Sequence, residues 1–146
     1  PTNRYYKGSD IIIPVCKKLE RENNNVKFIL IENKTHDEVI QIKKQCDILV
    51  DQVGDRGGWG YGMSSIEAMS LGLCCVTQIN NQVNKVIPDH PFVSINNGNL
   101  HEKLNSLIKN KVQLEQIKKD SYAWVKLNHD VKNVSKKIYE IYKSIK

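Results

Sequence analysis

The residues best suited to chemistry lie in a glycine-dense loop between a predicted strand and a predicted helix. Five of the eight glycines fall between Gly54 and Gly62, directly after the apolar run at residues 47–51. Because glycine has no side chain, its backbone can approach a ligand closely. The helix that begins after Gly62 offers free N–H groups and a partial positive charge, which suit a diphosphate. We therefore expect a phosphate-bearing ligand here, and the alternative interpretation is a flexible surface loop.

Three charged side chains add to this predicted site. Glu67 lies in the helix after the loop, where a carboxylate can accept hydrogen bonds from two neighbouring hydroxyls of a ribose. Lys7 precedes Gly8 and another predicted helix, and Arg4 lies three residues earlier, so these cations could hold a phosphate. The alternative interpretation of Glu67 is an exposed helical glutamate, and a Lys-Gly pair alone carries little information. The loop has neither the lysine of a P-loop nor the spacing of GxGxxG.

The cysteines, histidines and overall charge predict neither a metal site nor a nucleic-acid partner. The four cysteines have no CxxC spacing and the four histidines are scattered, so no metal-ligand pattern is present. We expect the cysteines to be small buried hydrophobic residues in a reducing, cytoplasmic compartment. The net charge of +6 suits phosphates or anionic surfaces without choosing among them. The sequence has no basic stripe with interleaved aromatic residues, the pattern that is typical of single-stranded nucleic-acid binding.

Hydrophobic periodicity predicts one domain, residues 1–146, in which strands and helices alternate. Strands or extended segments are predicted at residues 26–31, 47–51, 73–77 and 92–94. Helices are predicted to begin near Ser9, Thr35, Ser64, Asn99 and residue 112, with a break in the last one near residue 129. This order predicts an α/β fold with an open parallel sheet, helices on both faces and long C-terminal helices. The helix near Ser9 has no predicted strand before it, so we expect a strand upstream of Pro1 or a sheet with one strand fewer.

Taken together, these pieces resemble the carboxyl-terminal half of a family 4, or group 1, glycosyltransferase of the GT-B architecture. Residues 7–10 (KGSD) are similar to the family's KGxD-like helix start, and residues 62–72 are similar to its G-x4-EAMA-x-G helix. Residues 46–50 fit a family strand, and residues 138–142 (IYEIY) resemble its closing helix. The resemblance covers nearly the whole chain and implies a Rossmann-like domain beside an amino-terminal acceptor domain.

The resemblance also implies a nucleotide-diphosphate-sugar donor, no cofactor, no metal, and transfer with retention at the anomeric carbon. By this analogy Glu67 holds the ribose hydroxyls of the donor. Lys7, with Arg4 as its partner, neutralises the diphosphate and steadies the leaving group, which is electrostatic catalysis. The backbone that would cradle the diphosphate and sugar is that of Gly62, Met63 and Ser64.

One position departs from the family's pattern. The family has two glutamates separated by seven residues, but the position that matches the first is Trp59. Trp59 and Tyr61 are aromatic, and an aromatic ring there could stack on a sugar face. Asp51 or Asp55 could supply a carboxylate from the same loop. Some group 1 sequences carry a stretch similar to residues 51–62, so the departure is compatible with a subgroup of active enzymes.

These observations predict the donor-binding half of a retaining, metal-independent glycosyltransferase in surface polysaccharide or glycoconjugate synthesis, inactive without its acceptor domain. We expect the full-length enzyme to be cytoplasmic, with peripheral membrane association as a further expectation. The first alternative is a non-catalytic module of the same fold that binds a nucleotide or sugar. The second is a Rossmann-type dinucleotide or regulatory domain, which predicts a glycine fingerprint after the first strand. Base choice is expected to depend on the loop at residues 32–36.

Overall fold

A parallel sheet forms the centre of the structure, a computed structural model that describes residues 3–54, 56–57 and 61–145. Within these residues the sheet has three strands in the order β1 (Ile48–Val50), β2 (Cys74–Thr77) and β3 (Val93–Ser94). Both pairings are parallel. Parallel neighbours need crossover connections, which helices supply, so the predicted parallel α/β arrangement is confirmed.

Helices make up most of the remaining chain. Three precede the sheet: α1 (Arg4–Lys7), α2 (Ser9–Glu22) and α3 (His36–Lys43). Two connect the strands: α4 (Met63–Ser70) and α5 (Asn81–Val86). Three follow the last strand: α6 (Leu100–Lys109), α7 (Lys111–His129) and α8 (Val131–Ser144). The predicted helices and the break near residue 129 are confirmed, whereas α1 and α5 are too short for hydrophobic periodicity to reveal.

The sheet buries both of its faces. Successive residues of a strand point to opposite sides, and β2 is buried along its whole length. Cys74 and Val76 lie in one core cluster, with side chains of α2 and α6. Cys75 lies in a second cluster, with Met69 of α4 and Val125 of α7. The prediction of helices on both faces is therefore confirmed.

The prediction of a strand at residues 26–31 is wrong. Within the described part of the chain this segment pairs with no strand, and together with β1 it lines a cavity of about 1090 Å³. The N–H of Phe28 donates to Glu20 Oε1 at 2.8 Å, instead of to a strand carbonyl. β-branched residues favour a strand, but a strand needs a neighbour that completes its hydrogen bonds. The expected strand upstream of Pro1 stays a prediction.

The cysteines are free thiols that serve mainly as packing groups. Cys16, Cys74 and Cys75 are buried, as predicted, and Cys46 is half-buried. Burial raises the pKa of Cys16 to about 11 and the pKa of Cys74 to about 12. No cluster of three or more His, Cys, Asp or Glu side chains is placed to hold a metal ion among the described residues. No helix in this part of the chain has the length and apolar character needed to cross a membrane.

Candidate functional site

The turn between α1 and α2 brings Lys7 to the carboxyl end of β1. Gly8 forms this turn with a φ of 67°, a left-handed conformation that favours glycine. A Cβ atom on Gly8 would lie 1.9 Å from the carbonyl oxygen of Val53. The N–H of Val53 in turn donates to the carbonyl of Lys7 at 3.2 Å. Only glycine therefore lets this turn pack against the chain that follows β1, which is the structural reason for the Lys-Gly pair.

Asp51, the residue directly after β1, joins Lys7 to α4. Its Oδ1 accepts a hydrogen bond from Lys7 Nζ, and its Oδ2 accepts one from Ser65 Oγ. The side chain of Asp51 is 3% exposed, whereas that of Lys7 is 32% exposed. A buried carboxylate is stable only when its oxygens are paired and hydrogen-bonded. Asp51 therefore fixes the Lys7 ammonium, and part of the Lys7 side chain remains accessible.

Glu67 is held by a buried lysine that the sequence analysis did not single out. Lys43, the last residue of α3, donates from Nζ to Glu67 Oε2 at 2.9 Å. The same ammonium donates to the carbonyl and hydroxyl oxygens of Ser64 at 3.2 and 3.1 Å. His36 Nδ1 lies 3.8 Å from Glu67 Oε1. Because the Glu67 side chain is 27% exposed, its carboxylate is anchored on one oxygen and remains partly open.

The position of Lys43 in the helical pattern of α3 indicates that its side chain is buried. Val39, Ile42 and Cys46 form the apolar face that predicted this helix. Lys43 lies four residues after Val39, on the same face. Lysine is almost never fully buried without a partner. A lysine on an apolar face therefore predicts a contact with an acceptor elsewhere in the chain, although spacing alone cannot say which acceptor.

The first turn of α4 has free backbone donors. Gly62 is the N-cap residue and supplies no side-chain cap, and no acidic residue lies in the first turn. Within the described residues, the N–H groups of Met63 and Ser64 donate to no acceptor. Such amides carry partial positive charge. The predicted seat for a diphosphate is therefore compatible with the local geometry, and the ligand contact itself stays a prediction.

Two of the predicted site residues contact other parts of the chain. The guanidinium of Arg4 donates to both carboxylate oxygens of Glu32, and this hydrogen-bonded pairing lowers the pKa of Glu32. The ring of Tyr61 stacks on that of Phe92, with 4.9 Å between the ring centroids. Arg4 lines the same cavity as Lys7, whereas Tyr61 packs against the second core cluster. The predicted contacts of Arg4 and Tyr61 with a donor stay predictions.

Part of the glycine-dense loop lies outside the described residues, namely Asp55 and residues 58–60, which include Trp59. Their predicted roles with a sugar stay predictions. Arg56 is described, and its guanidinium donates to the two oxygens of Asp10 at 2.7 and 2.8 Å. This pairing ties the loop to the start of α2 and lowers the pKa of Asp10.

The structure brings the two predicted halves of the site close to one another. Lys7, Lys43, Asp51 and Ser64 line one cavity, and Glu67 is joined to it through the ammonium of Lys43. Asp51 contacts α4 at Ser65, one residue after Ser64. The phosphate-binding candidate and the ribose-binding candidate are therefore connected through residues 64–67, about one turn of a single helix.

A parallel sheet with helices on both faces, and polar side chains gathered where β1 ends, defines an α/β protein of the Rossmann-like class. The family model described as "Glycosyl transferases group 1" matches residues 14–124. This match covers more than half of the chain, which therefore belongs to the group 1 glycosyltransferase family. No curated protein and no solved structure matches the chain. Family membership implies glycosyl transfer with a nucleotide-sugar donor and an acceptor. The match includes Lys43, Asp51 and Glu67 but begins after Lys7.

Proposed function

We propose that this chain is the donor-binding half of a retaining, metal-independent glycosyltransferase of the GT-B architecture. The donor is a nucleotide-diphosphate-sugar, and no cofactor takes part. An amino-terminal domain of the same protein binds the acceptor and completes the cleft. The full-length enzyme acts in the cytoplasm, in surface polysaccharide or glycoconjugate synthesis, with peripheral attachment to the membrane.

One observation carries this proposal: a fixed cation and an anchored carboxylate are attached to neighbouring residues of α4. Lys7 is paired with Asp51, which accepts from Ser65. Glu67 is paired with Lys43, which donates to Ser64. A cation suits a diphosphate, and a carboxylate with an open oxygen suits the hydroxyls of a ribose. The arrangement therefore supports binding of both groups of a nucleoside diphosphate, by Lys7, which Asp51 links to α4, and by Glu67 of α4 itself.

The reaction follows from these roles. The bond between the anomeric carbon and the diphosphate oxygen breaks, an acceptor oxygen bonds to that carbon on the same face, and the proton of the acceptor hydroxyl passes to the released diphosphate. Negative charge develops on the leaving diphosphate. Lys7 and the free amides at the start of α4 stabilise that charge in the transition state, which is often the largest catalytic contribution. Glu67 orients the donor through its ribose and takes no part in bond breaking.

Nucleoside diphosphates provide the test for donor binding. We expect at least one of UDP, GDP, CDP and ADP to raise the melting temperature of this chain, because a ligand selective for the folded state stabilises it. At a concentration of 100 times Kd the gain is about 2.7 kcal/mol. Glu67→Gln keeps an oxygen for Lys43 but removes the carboxylate charge, so its shift should be much smaller. A flat thermal response to all four diphosphates contradicts the proposal.

A second candidate function, a non-catalytic nucleotide- or sugar-binding module, is favoured by Trp59 at the position of the family's first glutamate. Both functions predict nucleotide binding by this chain. They differ in the full-length protein, which should transfer sugar under the first proposal and only bind the donor under the second. Radiolabelled sugar nucleotides with a panel of acceptors distinguish them.

A further inference from the structure

Lys43 is a buried cation whose partners are all identified. Its side chain is 4% exposed, although lysine is rarely buried to this extent. The ammonium has three donors. These match three acceptors, the carbonyl of Ser64, the hydroxyl of Ser64 and Glu67 Oε2, at 2.9 to 3.2 Å. Lys43 therefore has no donor left for a phosphate, and its charge acts on Glu67.

The other oxygen of Glu67 is available. Within the part of the chain that the structure describes, Oε1 accepts no hydrogen bond, and His36 Nδ1 lies 3.8 Å from it. The His36 side chain is 68% exposed, so it leaves solvent access to this oxygen. A glutamate side chain on a helix surface normally samples several rotamers. The charge-assisted hydrogen bond from Lys43 selects one of them.

We propose that Lys43 is a positioning residue that holds the Glu67 carboxylate in the orientation that recognises a ribose. This inference rests on the proposed nucleotide-binding function and adds the residue on which its sugar specificity depends. Lys43 holds Oε2 in place, so that Oε1 faces the ligand without an ordering cost when the ligand binds. Without Lys43 the carboxylate remains, but its orientation is no longer fixed.

Discrimination between ribonucleotides and 2′-deoxyribonucleotides tests this role, because it reports on the carboxylate and not on the phosphates. The probes are the ribo and 2′-deoxy forms of whichever diphosphate binds most tightly, measured by calorimetry on this chain. The variant is Lys43→Met, whose unbranched side chain is one atom shorter than that of lysine and has no donors. The matched control is Lys44→Met, which removes the same charge from an exposed neighbouring position.

We expect the wild type and Lys44→Met to bind the ribonucleotide about tenfold or more tightly than the deoxy form, since a hydrogen bond to a charged group is worth that factor. In Lys43→Met this ratio should fall below about threefold, while affinity for the deoxynucleotide changes little. A purely structural lysine would weaken binding of both forms equally and leave the ratio unchanged, which overturns the inference.

The possible failures have different meanings. If no nucleoside diphosphate binds the wild type, the proposed function fails and the inference fails with it. If the wild type binds diphosphates without preferring ribose, donor binding stands and the role of Lys43 is overturned. If Lys43→Met does not fold, as judged by circular dichroism, Lys43→Leu replaces it. Its side chain has no donor for Glu67, and a wild-type ratio in that variant also overturns the inference.

Discussion

Two carboxylates at the same end of the sheet differ in how many of their oxygens already accept hydrogen bonds from described residues of the chain. Asp51 is buried, and both of its oxygens accept hydrogen bonds from within the chain. Glu67 is partly exposed and has only one oxygen hydrogen-bonded to a described partner, Lys43. A carboxylate with internal partners on both oxygens organises its surroundings, whereas one with a free oxygen can also bind a ligand.

This difference changes the interpretation of the loop after β1. From the sequence, Asp51 was a candidate to replace the family's missing glutamate beside the sugar, and that role stays a prediction. In the structure its contacts fix Lys7 and the start of α4. The acidic residue next to the glycine-dense loop therefore fixes a neighbouring lysine and the first turn of α4.

The largest effect is expected from a substitution that prevents the turn that carries Lys7 from forming. Gly8→Ala places a Cβ 1.9 Å from the carbonyl oxygen of Val53 in a left-handed residue. We expect it to lower the free energy of unfolding by about 4 kcal/mol, the sum of left-handed strain and overpacking. Urea denaturation measures this loss.

Gly72→Ala is the matched control for that substitution. Gly72 is also left-handed, with a φ of 80°, but no atom lies within 4 Å of the added Cβ. Only the backbone strain remains, so the expected cost is about 1 kcal/mol. Equal losses in the two variants would contradict the close packing described for the Lys7–Gly8 turn.

A smaller effect is expected from Asp51→Ala, which removes the common partner of Lys7 and Ser65. We expect the free energy of unfolding to fall by about 3 kcal/mol, because breaking a buried pair leaves polar groups unpaired. The accessible third of Lys7 moderates the loss. Asp89→Ala, at an exposed position, should change stability by less than about 0.5 kcal/mol. If Asp51→Ala had a negligible effect on the free energy of unfolding, this would contradict the stabilising role assigned to Asp51 in the comparison with Glu67.

The smallest effect concerns an exposed carboxylate, that of Glu38, whose hydrogen-bond donors lie within four residues of it in the chain. A hydrogen bond from Lys34, followed by one from the backbone of Thr35, lowers the pKa of Glu38 from 4.5 to about 2. Because folding favours the charged form, this contribution to stability is present above pH 4.5 and is lost as the pH falls towards 2. The difference in melting temperature between wild type and Glu38→Gln should therefore shrink over this range. A difference that stays constant from pH 7 to pH 3 argues against the capping arrangement at Thr35.

The sequence was sufficient for the elements whose partners lie nearby in the chain. The Thr35–Glu38 capping box and the helix after Gly62 depend on local spacing, and both are present. The segment at residues 26–31 failed because its strand propensity needs a neighbouring strand, which spacing cannot supply. Lys43 was missed for a related reason: its acceptors on α4 lie more than 20 residues away in the chain.

The open side of β1 has a practical consequence for work with this chain. Its backbone groups on that side have no strand partner within the described residues, and apolar side chains line the adjoining cavity. An uncovered sheet edge is a template for pairing with another polypeptide. Self-association at high protein concentration would change the apparent affinities measured in the proposed nucleotide titrations. Dilution series by light scattering therefore belong beside every calorimetric titration of this domain.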